Sequence, residues 1–418
     1  MLSLAFLARA EMRLLRKLMF LTTLELLGTA PGTSQEPLTL EQALNRARDQ
    51  SPSVLSARAR VEEARARVGT ASLLLRENPE VDAAAGRPSS GVDRSTEWDV
   101  GLIQNLEIGG RRSARMGIAR AELASSMAEA ENALRRAVRD VAAAFFRALQ
   151  AQERVALAAR AEGIATEILE IARRRHEAGD VALLDVNLAQ AAAAKARAET
   201  HAARSAQFTS LGELRGLLGF PSEQQLKLGG EFRGSRRYDL ADLLARAEDR
   251  PDIRVLKSEL DAANAELRLG GALAWPEFGL GARYERKDGE SLVLGAVRFT
   301  LPLFDRGQGV RAEARARARR LELELEAERR SVRTEVSTAF EIYDQQKAAV
   351  DELEQNAVRL LEENESLSRE SYEAGQISLA ELLLVRREIL EIRNDYLSRL
   401  LDAAIAAAEL EASAGVLR

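Results

Sequence analysis

The chain carries one plan twice, and this repetition limits its possible folds more than any other feature of its 418 residues. One copy opens with Leu38-Thr39-Leu40-Glu41-Gln42-Ala43-Leu44, the other with Tyr238-Asp239-Leu240-Ala241-Asp242-Leu243-Leu244. Each then has a proline, Pro52 or Pro251, and each breaks at a proline–glutamate pair, Pro79-Glu80 or Pro276-Glu277. The clearest match aligns His176-Glu177-Ala178-Gly179 with Tyr372-Glu373-Ala374-Gly375, and continues from Asp185 to Glu381 at one offset. The expected division is a first structural repeat over 36–236 and a second over 237–418.

Within each copy the hydrophobic period changes twice. Spacings of three and four predict a helix over 40–76, and again over 240–273. Strict alternation follows. Phe278, Leu280, Ala282 and Tyr284 alternate with Gly279, Gly281, Arg283 and Glu285. A second alternating run follows Asp288-Gly289, a hairpin-turn pair, so a strand pair is expected over 277–301. The first copy has a shorter strand pair over 80–106, with Trp98 its one large aromatic.

Each copy then enters more than sixty residues without proline, 111–177 and 310–373. At 1.5 Å per residue each helix spans roughly 100 Å, too long for a globular domain. The second shows a heptad seam: Val332, Val336, Ala339, Tyr343, Gln346, Val350, Leu353, Ala357, Leu360, Asn364, Leu367 and Ser371. Such a seam predicts coiled-coil packing, with Gln346 and Asn364 as polar register-setters. Tight turns at Gly179 and Gly375 reverse the chain into returning helices, completing long-helix pairs over 111–219 and 310–414.

Composition removes whole function classes. There is no cysteine, which excludes disulfides, thiolate metal sites, a cysteine nucleophile and lipid attachment through a thiol. Two histidines, five methionines and no ligand spacing indicate no metal site and no cofactor. No phosphate loop or catalytic triad is present, so an enzyme is not expected. Net charge is −5 with acids and bases interspersed, which gives a nucleic acid nothing to bind. Arg13, Arg16 and Lys17 precede a short apolar stretch and small residues, so residues 1–34 are expected to be a secretory signal. No later segment is apolar for the about 18 residues a membrane-crossing helix needs.

Alternation with one apolar and one small or polar face suits a strand set between lipid and a wet lumen. In lipid a sheet must close on itself, because open edges leave backbone groups unpaired. Four strands are too few to close, so several chains must each contribute. The helices would then continue the tube away from the membrane. A soluble periplasmic coiled-coil scaffold is the competing class, but it has no use for the alternating hairpins.

The twofold repeat, the Pro-Glu before each first strand, Leu301-Pro302-Leu303-Phe304-Asp305-Arg306-Gly307 after the last, and the paired Glu-Ala-Gly turns resemble the TolC-type outer-membrane efflux protein family. The match covers about residues 38–416. The segment 104–112 is similar to that of the heavy-metal cation-efflux branch. The resemblance implies a mostly α, mixed α/β membrane protein. It would be a homotrimer with a 12-stranded outer-membrane β-barrel, continued by a 12-helix coiled-coil α-barrel in the periplasm. It implies a periplasmic adaptor and an inner-membrane efflux transporter of the resistance–nodulation–division type as partners, with outer-membrane lipid around the barrel. Multidrug efflux and an exit duct for type I protein secretion are the alternatives within the family.

By this reading Gly179 and Gly375 ring the periplasmic mouth, and Asp185 and Glu381 follow them at one offset. Both acids suit the N-terminal turn of a helix, and both suit a cation-attracting ring in a constriction. The resemblance implies that Tyr372 and Asp185 tie the helix pairs together by a hydroxyl–carboxylate hydrogen bond, and that Glu381 lies in an acidic constriction. Ile377 stands where that pattern has an arginine.

Overall fold

The computed structural model describes residues 37–87, 96–232, 236–287 and 290–416. The signal segment 1–34, the loop within the first strand pair and the Asp288-Gly289 turn lie outside the described residues.

The first copy runs α1 (Leu40–Gln50), α2 (Pro52–Ala71), β1 (Glu80–Gly86), β2 (Glu97–Leu106), α3 (Arg111–Glu177) and α4 (Leu183–Leu217). The second repeats the order as α5 (Leu240–Ala247), α6 (Pro251–Ala272), β3 (Glu277–Lys287), β4 (Glu290–Thr300), α7 (Gln308–Leu353), α8 (Arg359–Glu373) and α9 (Leu379–Ser413). Between α7 and α8 a single wider π-turn, Glu354–Val358, keeps the helix continuous.

The single helices expected over 40–76 and 240–273 are each divided. Proline disfavours helical conformation in the residue before it, so Ser51 and Arg250 are extended, at ψ 129° and 147°. Pro52 and Pro251 then open the next helix, where the missing N–H costs nothing. Thr39 starts α1 with a reciprocal cap: it accepts from the Gln42 N–H while the Gln42 side chain accepts from its own.

Each copy has its own apolar cluster. Val141, Phe145 and Leu149 of α3 pack on Ala43 and Leu44 of α1 and on Leu214 of α4. Leu243, Ile253, Val332, Val336 and Leu410 form the counterpart. The end of α9 is held by two buried arginines. Arg135 donates to the Ala412 carbonyl at 2.9 Å and Arg250 to that of Ser413 at 2.8 Å, so positive charge meets the negative end of the helix. Asp252 lies against both guanidinium groups.

The four strands form one antiparallel sheet in the order β1-β2-β3-β4. The central pairing joins the copies, with Leu102 opposite Ala282 and Gly101 opposite Arg283. Neither β1 nor β4 has an outer partner among the described residues.

The heptad seam needs a correction. It holds through Val332, Val336 and Tyr343, which are buried. Beyond the π-turn the buried stripe is Leu361, Glu365, Ser368 and Tyr372, each one residue later than Leu360, Asn364, Leu367 and Ser371. Leu360 is 52% exposed and Leu361 is 3% exposed. A π-turn accommodates one extra residue, so every side chain after it rotates by one position on the helix surface.

Candidate functional site

The sheet separates two chemistries. Register places Val81, Val100, Leu102, Leu280, Val293, Val297 and Phe299 on one face. Val293 is 72% exposed and Phe299 61%, so this face packs on nothing among the described residues. Aromatic pairs bracket it: Trp98 with Tyr284 near the hairpin ends, ring centroids 5.2 Å apart, and Phe278 with Phe299 near the helix ends, at 5.1 Å. Six residues separate Phe278 from Tyr284, about 20 Å of strand. An apolar band between aromatic girdles, close to the about 25 Å of an outer-membrane barrel, is the arrangement lipid requires.

The opposite face carries the charged side chains together with Ile103, Leu292 and Leu294, and it is crossed by ion pairs. Arg283 bridges Asp82 of β1 and Asp99 of β2, and Arg298 of β4 reaches Glu80 of β1. Glycine lets the side chains lie flat there. A Cβ on Gly281 would sit 2.2 Å from the Leu102 carbonyl oxygen.

At the other end of the long helices the two copies meet. Ile168, Leu169 and Ala172 of α3, Val186 and Ala189 of α4, and Leu379 and Leu382 of α9 bury Tyr372 among them. Both hairpins turn at glycines in the left-handed region, Gly179 at φ 85° and Gly375 at φ 73°. The Gly179 N–H donates to His176 and Asp180 N–H to Arg175; the Gly375 N–H donates to Tyr372 and Gln376 N–H to Ser371.

The expected hydrogen bond from the Tyr372 hydroxyl to Asp185 is not made. Tyr372 is 2% exposed and its hydroxyl has no partner among the described residues. Its ring packs in the apolar cluster. Ile377 packs against that same cluster. Sequence reasoning missed the residue that does reach Tyr372. Arg175 donates to the Tyr372 carbonyl oxygen at 3.2 Å, with its guanidinium carbon 5.3 Å from the ring centroid. The one signal for it is a basic residue in the last turn of α3, which also suits that helix's own dipole.

Asp185 and Glu381 occupy the same third helical position of α4 and α9. Glu381 is held in a reciprocal cap: the Ser378 N–H and hydroxyl donate to its carboxylate at 2.8 and 2.9 Å. Those bonds, the backbone one first, hold its carboxyl below the usual carboxylate range. Asp185 lacks this cap, because Ala182 replaces the serine and offers no side-chain bond.

A charged node lies about two turns from Tyr372. Glu365 accepts from Arg386 and, at 2.9 Å, from Arg393, while Arg160 of α3 approaches within 3.8 Å. Among the described residues no group of three or more histidine, aspartate or glutamate side chains could hold a metal ion, and no helix is long and apolar enough to cross a membrane.

The family model described as outer membrane efflux protein matches residues 43–220 and 243–416, one match per copy. The cobalt-zinc-cadmium resistance protein CzcC of Cupriavidus metallidurans is 26% identical over 372 residues, covering 88% of this chain and 87% of that one. The nickel-cobalt-cadmium resistance protein NccC of Alcaligenes xylosoxydans xylosoxydans is 29% identical over 55% of this chain and 54% of its own. In fold, the chain is similar to the CmeC outer membrane channel of Campylobacter jejuni, with a TM-score of 0.76 at 17% identity, covering 90% of this chain and 85% of that one.

Proposed function

The chain belongs to the outer membrane efflux protein family, and we propose that three copies close one barrel to form the exit duct of a three-part pump. A periplasmic adaptor and a resistance–nodulation–division transporter in the inner membrane are the other two parts. The observation that carries this reading is the sheet: among the described residues its apolar face is bare and both its edges are open. In lipid each unpaired backbone group costs several kcal/mol, so the edges must find strands. With β1 and β4 antiparallel, β4 of one copy can pair with β1 of the next, and three copies supply twelve strands. The polar face, with its Arg283 bridges, then lines the lumen. A soluble scaffold would leave the apolar face in water.

The long helices extend the tube from the sheet to the tips at Gly179 and Gly375, which ring the periplasmic mouth. Passage is passive, so the wall needs no resident metal. The relatives named for cobalt, zinc, nickel and cadmium resistance support divalent heavy-metal cations as cargo.

Light scattering of detergent-purified protein tests the assembly. Three chains per particle are expected, and a detergent-embedded single chain overturns the barrel. Deleting the gene in its host tests the cargo. Raised sensitivity to cobalt, zinc or cadmium is expected, and unchanged sensitivity to all three removes the metal reading while leaving the duct.

A further inference from the structure

We propose that Arg175 is the latch of the periplasmic mouth, a first-repeat side chain that holds the second-repeat hairpin by its last helical turn. The inference rests on the reading of the tips as that mouth.

The Tyr372 carbonyl oxygen takes the Gly375 N–H at 3.0 Å as part of the turn that ends α8. Its second lone pair points at the other hairpin, and Arg175 fills it at 3.2 Å. A guanidinium there sits at the negative end of α8, where positive charge is favoured. The same group lies within reach of the Tyr372 ring for a cation–π contact, 5.3 Å from its centroid. Tyr372 is therefore held by its carbonyl and its ring, and its hydroxyl is idle.

The repeat makes the link one-directional. Four residues before Gly179 stands Arg175; four before Gly375 stands Ser371, which is too short to return the contact. Ile377 belongs to the apolar cluster and supplies no charge. Two further ties join the same pair of helices away from the tip. Glu167 pairs with Arg369 at 2.7 Å, and Arg160 approaches Glu365 at 3.8 Å. Positions 160, 167 and 175 fall about two turns apart, so all three ties leave one stripe of α3. Widening the mouth moves one hairpin against the other, and Arg175 is the tie nearest the opening.

Single-channel conductance in planar bilayers tests this on the full-length assembly. R175A is expected to conduct several-fold more than wild type. Arg174, beside it, reaches among the described residues the Glu170 carbonyl on its own helix, so R174A should match wild type. Y372F should also match wild type, because it keeps both the carbonyl and the ring. Should R175A fail to assemble, R175K decides: it keeps the charge but not the planar group, and an intermediate conductance is expected. The latch is overturned if Arg175 variants conduct as wild type, or if Y372F opens the channel as far as R175A, which would return the link to the hydroxyl. A wild-type protein that forms no channel at all would instead defeat the duct reading.

Discussion

Arg386 of α9 grips the carboxylate of Glu365 on α8, and each side chain keeps only 11% of its surface in water. Arg393 takes the second carboxylate oxygen at 2.9 Å. Two largely buried guanidinium groups thus share one acid. Removing charges from water costs several kcal/mol per ion, so the node is stable only while its members stay paired. The π-turn put Glu365 there, by rotating it into the seam in place of Asn364.

Replacing that acid leaves both arginines buried without a counter-charge. Glu365→Gln should lower stability by about 3 kcal/mol per chain. Arg393→Gln, which leaves the Arg386 pair, should cost less. The midpoints of chemical unfolding measure both, and an unchanged midpoint for Glu365→Gln would rule out a structural role for the node.

The two faces of the sheet predict opposite responses at adjacent positions. Val297 lies on the bare apolar face and Ala296 on the polar one. Val297→Arg should destabilise the inserted barrel by about 2–4 kcal/mol, the range for arginine on a lipid-facing strand near mid-membrane. Ala296→Arg should be tolerated and should alter conductance instead. Equal effects on assembly from both substitutions would contradict the lipid–lumen assignment.

Asp252 predicts sensitivity to acid. Burial works to raise its pKa, but the hydrogen bond and charge of Arg250, with Arg135 beyond, prevail and lower it. A lowered folded-state pKa means that stabilisation is complete above the unfolded value, near 4, and is lost as pH falls through the folded value. Thermal stability of the wild type should therefore drop below about pH 4. Asp252→Asn should be less stable at neutral pH and flatter across that window; a parallel pH profile for the two proteins would refute the linkage.

Ala182 marks a cap that the first repeat lacks. Its backbone already has the extended conformation of a capping residue, at φ −74° and ψ 155°, close to Ser378 at −74° and 161°. Ala182→Ser should therefore build the Ser378–Glu381 arrangement with Asp185 and stabilise α4 by about 1 kcal/mol. Hydrogen exchange of the α4 first turn checks it: protection should rise, and unchanged exchange would show that Asp185 is committed elsewhere.

Local chemistry explains what could be read from the chain alone. Alternation at Phe278, Leu280, Ala282 and Tyr284 marks a two-faced strand, because successive strand side chains point to opposite sides. Pro52, Pro251, Gly179 and Gly375 punctuate the helices because their backbone constraints act within a turn. Duplication of these marks predicts two like units, and the bare apolar alternation predicts a membrane. Arg175 and Glu365 could not be found this way. A heptad count assumes a constant number of residues per turn, and nothing in Glu354–Val358 announces a π-turn, which becomes favourable only when packing on both sides of it fits a shifted register. That one-residue shift decided which face of α8 is buried, placed Glu365 among arginines and put Tyr372 in the apolar cluster. The contact from Arg175 to Tyr372 spans 197 positions and joins different repeats. Such a contact exists only once two hairpins are packed side by side, so tertiary structure alone decides it.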